Sequence, residues 1–218
     1  MRVLMLGDIF GRPGRKITAE FLPQLKEEYQ PDLIVANGEN AAGGFGLTRA
    51  VAEELFGLGI DVITGGNHIW DQKEMLTYID LEPRVLRAAN YPQGVPGQGV
   101  FVHEELSCAV ISLSGRVYMA DLECPFRTMD QILEQLPSAV KHVLVDFHAE
   151  ATSEKIALGY YLDGRVSVVV GTHTHVPTAD QRILSGGTAY VTDLGMCGPL
   201  DGVLGVEKDP VISGYLTQ

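Results

Sequence analysis

The run Gly171-Thr172-His173-Thr174-His175 follows an apolar stretch at 166–170 that only Ser167 interrupts. Two imidazoles spaced i, i+2 at the end of a buried strand can turn toward one point, and neutral imidazole is a frequent metal ligand. The same arrangement recurs along the chain. Apolar runs end in Gly7-Asp8, in Asn37-Gly38-Glu39-Asn40, in Gly65-Gly66-Asn67-His68 and in Asp146-Phe147-His148. Each of these residues has an ordinary use taken alone: Asp8 as a turn residue, Asn67 as a left-handed loop residue, His148 as a core histidine. The repetition at five strand ends is what points to metal binding. Carboxylates, amide oxygens and several histidines are too many for one tetrahedral zinc. They suit two ions of higher coordination with mixed nitrogen and oxygen ligands, such as Fe, Mn, Zn or Co. Two such ions ~3.5–4 Å apart form the usual clamp for in-line attack at phosphorus.

Strands must hold these groups, and the pattern supplies them. Val3-Leu4-Met5-Leu6 is a short apolar run closed by Gly7, which predicts a buried strand. Ile17, Phe21 and Leu25 recur at i, i+4, i+8 and predict the buried face of a helix. A second strand is expected over 33–36. Thr48 is placed to cap a helix through Val51, Leu55 and Phe56. A third strand is expected over 61–64, then a helix to about Ile79 opened by a capping box, Asp71-Gln72-Lys73-Glu74. Strand and helix alternate, so an α/β fold with parallel pairing is expected. The rhythm changes over 85–113, where Pro92, Pro96 and several glycines separate short strand-like runs. That stretch predicts an antiparallel segment, and a small subdomain or cap could occupy 85–126. Further along, a loop is expected over 114–126, a helix over 129–136, a strand over 142–146, a helix over 152–161 and strands at 182–184 and 189–192. Val211-Ile212 and Tyr215-Leu216 suggest a last strand.

The bulk numbers narrow the function. The 218 residues fit one domain, residues 1–218. The chain is 45% hydrophobic and 20% charged, ordinary for a globular protein. Its 28 acidic and 16 basic residues give a net charge of −12, which disfavours long nucleic acid because phosphate contacts need a positive face. A small phosphate ester stays compatible, since bound cations supply local positive charge. Three cysteines without Cys-x-x-Cys spacing argue against a disulfide framework or structural zinc. No signal-type segment follows Met1-Arg2 and no window approaches ~18 apolar residues, so a cytoplasmic protein with no membrane partner is expected. Association of identical copies is left open.

Gly7-Asp8, Gly66-Asn67-His68, His148 and Gly171-x-His173-x-His175, in that order, resemble the calcineurin-like metallophosphoesterases over nearly the whole chain. Met1-x-x-Leu-x-Leu-Gly-Asp8-Ile-Phe10-Gly-Arg-Pro-Gly, Asn37-Gly-Glu39-Asn40-Ala-Ala-Gly-Gly and Gly66-Asn67-His68-Ile-Trp70-Asp71 resemble their YmdB-like bacterial branch more closely. The resemblance implies a four-layer α/β/β/α sandwich and a metal-dependent phosphodiesterase acting on small nucleotides, 2′,3′-cyclic ones first, by attack of a hydroxide held between two metals. It also implies the site. Asp8, Glu39, Asn40 and His175 would hold one ion, and Glu39, Asn67, His148 and His173 the other, with Glu39 bridging. His68 would be the general acid. The broader superfamily has Asp-x-His where this chain has Asp8-Ile9-Phe10, and phenylalanine cannot ligate. Asn40 would then supply an oxygen in place of that histidine, which shifts the first site toward Fe or Mn, with Zn or Mg as the other choices. Substrate-binding residues stay unassigned. A phosphomonoesterase or nuclease with the same metals, and a regulatory RNA-binding protein with a vestigial site, are the competing readings.

Overall fold

The computed structural model describes residues 1–217. Its first half runs β1 (Val3–Leu6), β2 (Asp8–Ile9), α1 (Gly11–Tyr29), β3 (Leu33–Asn37), α2 (Arg49–Gly57), β4 (Val62–Thr64) and α3 (Met75–Tyr78). The second half runs β5 (Val100–His103), β6 (Cys108–Ser114), α4 (Pro125–Gln135), β7 (His142–His148), α5 (Thr152–Tyr161), β8 (Val168–Thr172), β9 (Arg182–Ile183), β10 (Ala189–Val191), β11 (Met196–Cys197) and α6 (Lys208–Thr217). One sheet has the order β1-β3-β4, all parallel. The other has the order β5-β6-β7-β8-β10-β9, parallel through β6-β7-β8-β10 with an antiparallel strand at each edge. A two-stranded pair, β11-β2, joins the end of the chain to its beginning.

Three apolar layers hold these pieces together. Ile34, Ala36 and Ile63 pack with Leu22 of α1, Ala52 and Leu55 of α2 and Met75 of α3. On the opposite strand face, Leu33, Val35 and Val62 meet Cys108, Val110 and Leu144 between the sheets. Ile111, Val143, Val145 and Phe147 pack against Met129 of α4 and Leu158 of α5. The result is helices, sheet, sheet, helices: the expected α/β/β/α sandwich. Each fully buried Val, Leu, Ile or Phe contributes roughly 1.5–3 kcal/mol relative to exposure.

Side chains alternate faces along a strand, and this alternation positions the site. The face of β7 that looks into the inter-sheet layer reads Leu144, Asp146, His148. The matching face of β3 reads Leu33, Val35, Asn37, and β4 reads Val62, Thr64. All three turn from apolar to polar toward their carboxyl ends. The seam between the sheets is therefore greasy at one end and lined with ligand-type groups at the other.

Several local expectations differ from the structure. On α1 the buried residues are Gly11, Gly14, Thr18 and Leu22, while Ile17 and Phe21 are 41% and 44% exposed. Small residues win this face because the helix sits directly on the β11 backbone: a Cβ on Gly14 would overlap the Cys197 carbonyl. The capping box at Asp71–Glu74 does not form. The Asp71 carboxylate is taken by the His68 ring and Glu74 accepts the Arg49 amide, leaving a single helical turn at Met75–Tyr78. The final segment is helix α6 rather than a strand. The antiparallel segment expected within 85–113 is present as β5 paired with β6 at one edge of the second sheet.

Candidate metal centre

At the polar end of the seam, several ligand-type groups converge on one imidazole nitrogen. His148 Nε2 lies 2.9 Å from Glu39 Oε1, 3.0 Å from Asn67 Oδ1 and 3.0 Å from His173 Nδ1. Ligand atoms of Glu39, His148 and His173 all lie within 4.8 Å of one another, so this cluster could hold a metal ion. His148 and Glu39 are fully buried. Gly66 makes the approach feasible, because a Cβ there would overlap the His148 ring.

A second grouping adjoins the first. Asn40 Nδ2 stands 3.2 Å from His175 Nε2 and 3.4 Å from Glu39 Oε1. A half-turn of the amide would present its oxygen to the same space. Asp8 Oδ1 is 3.8 Å from His175 Nε2 and 3.9 Å from His148 Nδ1. Although fully buried, it has no hydrogen-bond partner. An orphaned carboxylate oxygen is costly in a protein interior unless a cation satisfies it. The seven side chains Asp8, Glu39, Asn40, Asn67, His148, His173 and His175 thus form one continuous cluster.

Each histidine is oriented from behind. Thr172 Oγ1 is 3.0 Å from His148 Nδ1 and donates to Asp146 Oδ1 at 2.7 Å. That hydroxyl can accept the Nδ1–H and so leaves Nε2 free to ligate. His173 points Nε2 at Glu150 Oε2, 3.1 Å away, which leaves Nδ1 facing the cluster. His175 Nδ1 donates to the Leu204 carbonyl at 3.1 Å, leaving Nε2 inward. His173 and His175 adopt φ of +98° and +65°, a conformation that costs roughly 1–3 kcal/mol per non-glycine residue. The His173 amide donates to Asp8 Oδ2 at 3.1 Å, and the Met196 amide to the His175 carbonyl at 3.2 Å, so the strained turn is pinned on both sides. Thr172, Glu150 and the Leu204 carbonyl carry no sequence signal of their own. Only Asp146 could be suspected, from its place two residues before His148 on one strand face.

The electrostatics fit a cation site. Burial, reinforced by the Glu39 charge, pushes Asp8 up to about 7. Burial also acts to raise Glu39, but the charge and hydrogen bond of His148 outweigh it and bring the carboxyl down to about 2. For His148, burial works against the charged ring, and Glu39, Asp8 and Asp146 overcome it to lift the ring to about 9. Burial, aided by the His148 charge, lowers His173 to about 4, and burial lowers His175 too. Without metal, one proton on His148 stands in for the positive charge that this nest of carboxylates requires.

His68 is placed differently. Its backbone amide donates to Glu39 Oε2 at 3.1 Å, so it sits on the rim of the cluster. Its ring has partners of its own: Nδ1 is 2.7 Å from Asp71 Oδ2, and Phe45 lies edge-on with ring centroids 5.2 Å apart. Phe45 is 56% exposed on the glycine-rich loop at 43–46. Phe10, in the place of a superfamily histidine, packs edge-on against His175 at 5.5 Å between centroids.

Two stacked sheets, flanking helices and a nitrogen–oxygen cluster at the carboxyl ends of the strands define a metallophosphoesterase-type protein. Residues 4–218 match the family described as YmdB-like protein, and the chain belongs to that family. It is 49% identical over 219 residues to the Bacillus subtilis (strain 168) 2′,3′-cyclic-nucleotide 2′-phosphodiesterase, covering 100% of this chain and 83% of that relative. A crystal structure of a hypothetical protein from Thermus thermophilus superposes with a TM-score of 0.94 at 44% identity, over 100% of this chain and 85% of the other. A crystal structure of a phosphatase from Mycoplasma pneumoniae gives a TM-score of 0.92 at 37% identity, over 98% and 78%. Among the described residues no helix is long and apolar enough to cross a membrane.

Proposed function

We propose that the chain is a metal-dependent phosphodiesterase whose substrates are small nucleotide diesters, 2′,3′-cyclic nucleotides first, and that it opens the ring at the 2′ oxygen to leave a 3′-monophosphate. The observation that carries this reading is the meeting of Glu39, Asn67 and His173 around His148 Nε2, next to the unpartnered Asp8 Oδ1. The 49% identity to a relative of that named activity supports the substrate class.

Two ions fit the donors. Asp8, Asn40 and His175 would hold one, Asn67, His148 and His173 would hold the other, and Glu39 would contribute to both. Fe or Mn suits the oxygen-rich first set best, with Zn or Mg as alternatives. Such ions would neutralise the phosphate's charge and activate water for in-line attack.

The chain's own side chains supply the remainder. His148, His173 and His175 arrive with their outward nitrogens engaged, so their ligating edges are preset before any cation enters. Asp8 and Glu39 are held where water cannot compete for them. When the phosphorus–oxygen bond breaks, the leaving 2′ oxygen needs a proton. His68, beside Asn67 and on the rim, is the group that gives it. Asp71 engages Nδ1 of that ring and leaves the Nε2 edge for substrate.

The test is a panel of 2′,3′-cyclic and 3′,5′-cyclic nucleotides, an artificial diester and a monoester, each assayed with Mn, Fe, Zn and Mg. This reading expects the 2′,3′-cyclic diesters to be turned over fastest. Preference for the monoester would make the protein a phosphatase, and no metal-dependent turnover would remove the enzymatic reading.

A further inference from the structure

A buried ion pair lies behind the histidine turn. Lys155 Nζ, on α5, is 2.6 Å from Asp193 Oδ2, and the two side chains are 2% and 1% exposed. Taking both charges out of water is costly, and such a pair is weak evidence of stability by itself. Its geometry shows what it accomplishes instead.

Asp193 is the hub. Its Oδ2 also accepts from Thr174 Oγ1 at 2.7 Å and from the Thr174 amide at 3.2 Å. Thr174 is the residue between His173 and His175. Asp193 Oδ1 accepts from the Gly195 amide at 2.7 Å, and the Gly195 carbonyl accepts from the Asp8 amide at 3.1 Å. One carboxylate therefore fixes the turn that carries His175 and the segment on which Asp8 rests. Lys155 sets the position of that carboxylate, and its stem lies against Gly171, where a Cβ would come within 2.9 Å of the lysine Cδ.

We propose that Lys155 and Asp193 are positioning residues for the first metal site. Through Thr174 and Gly195 they fix the separation of His175 and Asp8, so that the site is formed before an ion arrives. The inference rests on the two-ion reading above. His173 is less dependent on the brace, because Glu150 engages its ring separately.

The experiment is titration of metal-free protein with Mn²⁺ by calorimetry, together with the melting temperature of the same metal-free samples. Wild type, Lys155→Met, Asp193→Asn and Thr174→Val are compared. Thr174→Val removes only one bond to the hub and keeps the ion pair, so it reports even where a charge variant fails to fold. The expected result is that one of two Mn²⁺ equivalents weakens ~10-fold or more, the usual effect of losing an outer-shell partner, while the other stays within ~3-fold. Lower melting temperature with both Mn²⁺ affinities unchanged would make the pair merely structural and overturn the proposal. Equal weakening of both ions would overturn its assignment to the first site. A wild type that binds fewer than two ions would remove the two-ion reading, and the proposal with it.

Discussion

Glu39 and His148 face each other across the seam between the two sheets, Oε1 to Nε2 at 2.9 Å, with neither side chain reached by solvent. In the metal-free protein this contact is an ion pair, because each group's titration is displaced in favour of charge by the other. Glu39 also reaches toward Asn40 and receives the His68 amide. It thus touches both groupings and the rim.

Glu39→Gln should therefore lose at least one metal ion and nearly all turnover. An amide keeps the shape but not the charge that offsets two cations. The defect should exceed the ~10–100-fold typical of outer-shell changes. Metal content and activity measured on one preparation check this. Two bound ions with normal turnover would take Glu39 out of the bridging role.

Asn40→Ala should weaken one ion more than the other, since Asn40 Nδ2 lies 3.2 Å from His175 Nε2 in the second grouping. Phe10→His should partly restore it, because the Phe10 ring already lies against His175. Mn²⁺ titration of the single and double variants reads both effects. Uniform loss of both ions would contradict the placement of Asn40.

His68→Ala should retain both ions and lose roughly 10²–10⁴-fold in turnover of substrates with alkoxide leaving groups. A nitrophenolate leaves without a proton, so that substrate should lose much less. Asp71→Asn should move the same ratio in the same direction by a smaller factor, because it alters only the partner of Nδ1. Equal losses on both substrate types would remove the general-acid role.

The metal-free protein should become less stable as pH rises from about 6.5 to about 9. His148 is raised from 6.5 to about 9 on folding, so its contribution is complete below 6.5 and lost as pH climbs through about 9. Asp8, raised to about 7, acts in the same sense up to that pH. Metal binding must expel the His148 proton, so Mn²⁺ affinity should rise over the same interval. Melting temperatures with and without Mn²⁺ from pH 6.5 to 9 should therefore diverge. Parallel curves would contradict a metal held by His148.

The strand-end groups are legible in the sequence because each follows an apolar run, and a strand's carboxyl end is where an α/β sheet presents its ligands. The alternation Leu144, Asp146, His148 even marks which face looks into the seam. What is not legible depends on partners distant in sequence. Glu150 and the Leu204 carbonyl have no motif, and Lys155 lies 38 positions from Asp193. The buried face of α1 departs from its pattern because Ile17 and Phe21 carry the hydrophobic signal, whereas Gly14 and Thr18 allow the close backbone approach. Asp71 fits a capping pattern but is engaged by the His68 ring, a competition that spacing cannot reveal.

If these seven side chains hold two ions that drive cleavage of a cyclic phosphodiester, metal content and product formation must change together. The most direct measurement pairs metal analysis of the purified protein with the product formed from 2′,3′-cyclic AMP, before and after chelation and Mn²⁺ return. The expected result is two ions per chain and release of the 3′-monophosphate, abolished by chelation and restored by Mn²⁺. Protein that binds no ion, or that yields the same product at the same rate after complete metal removal, would contradict it.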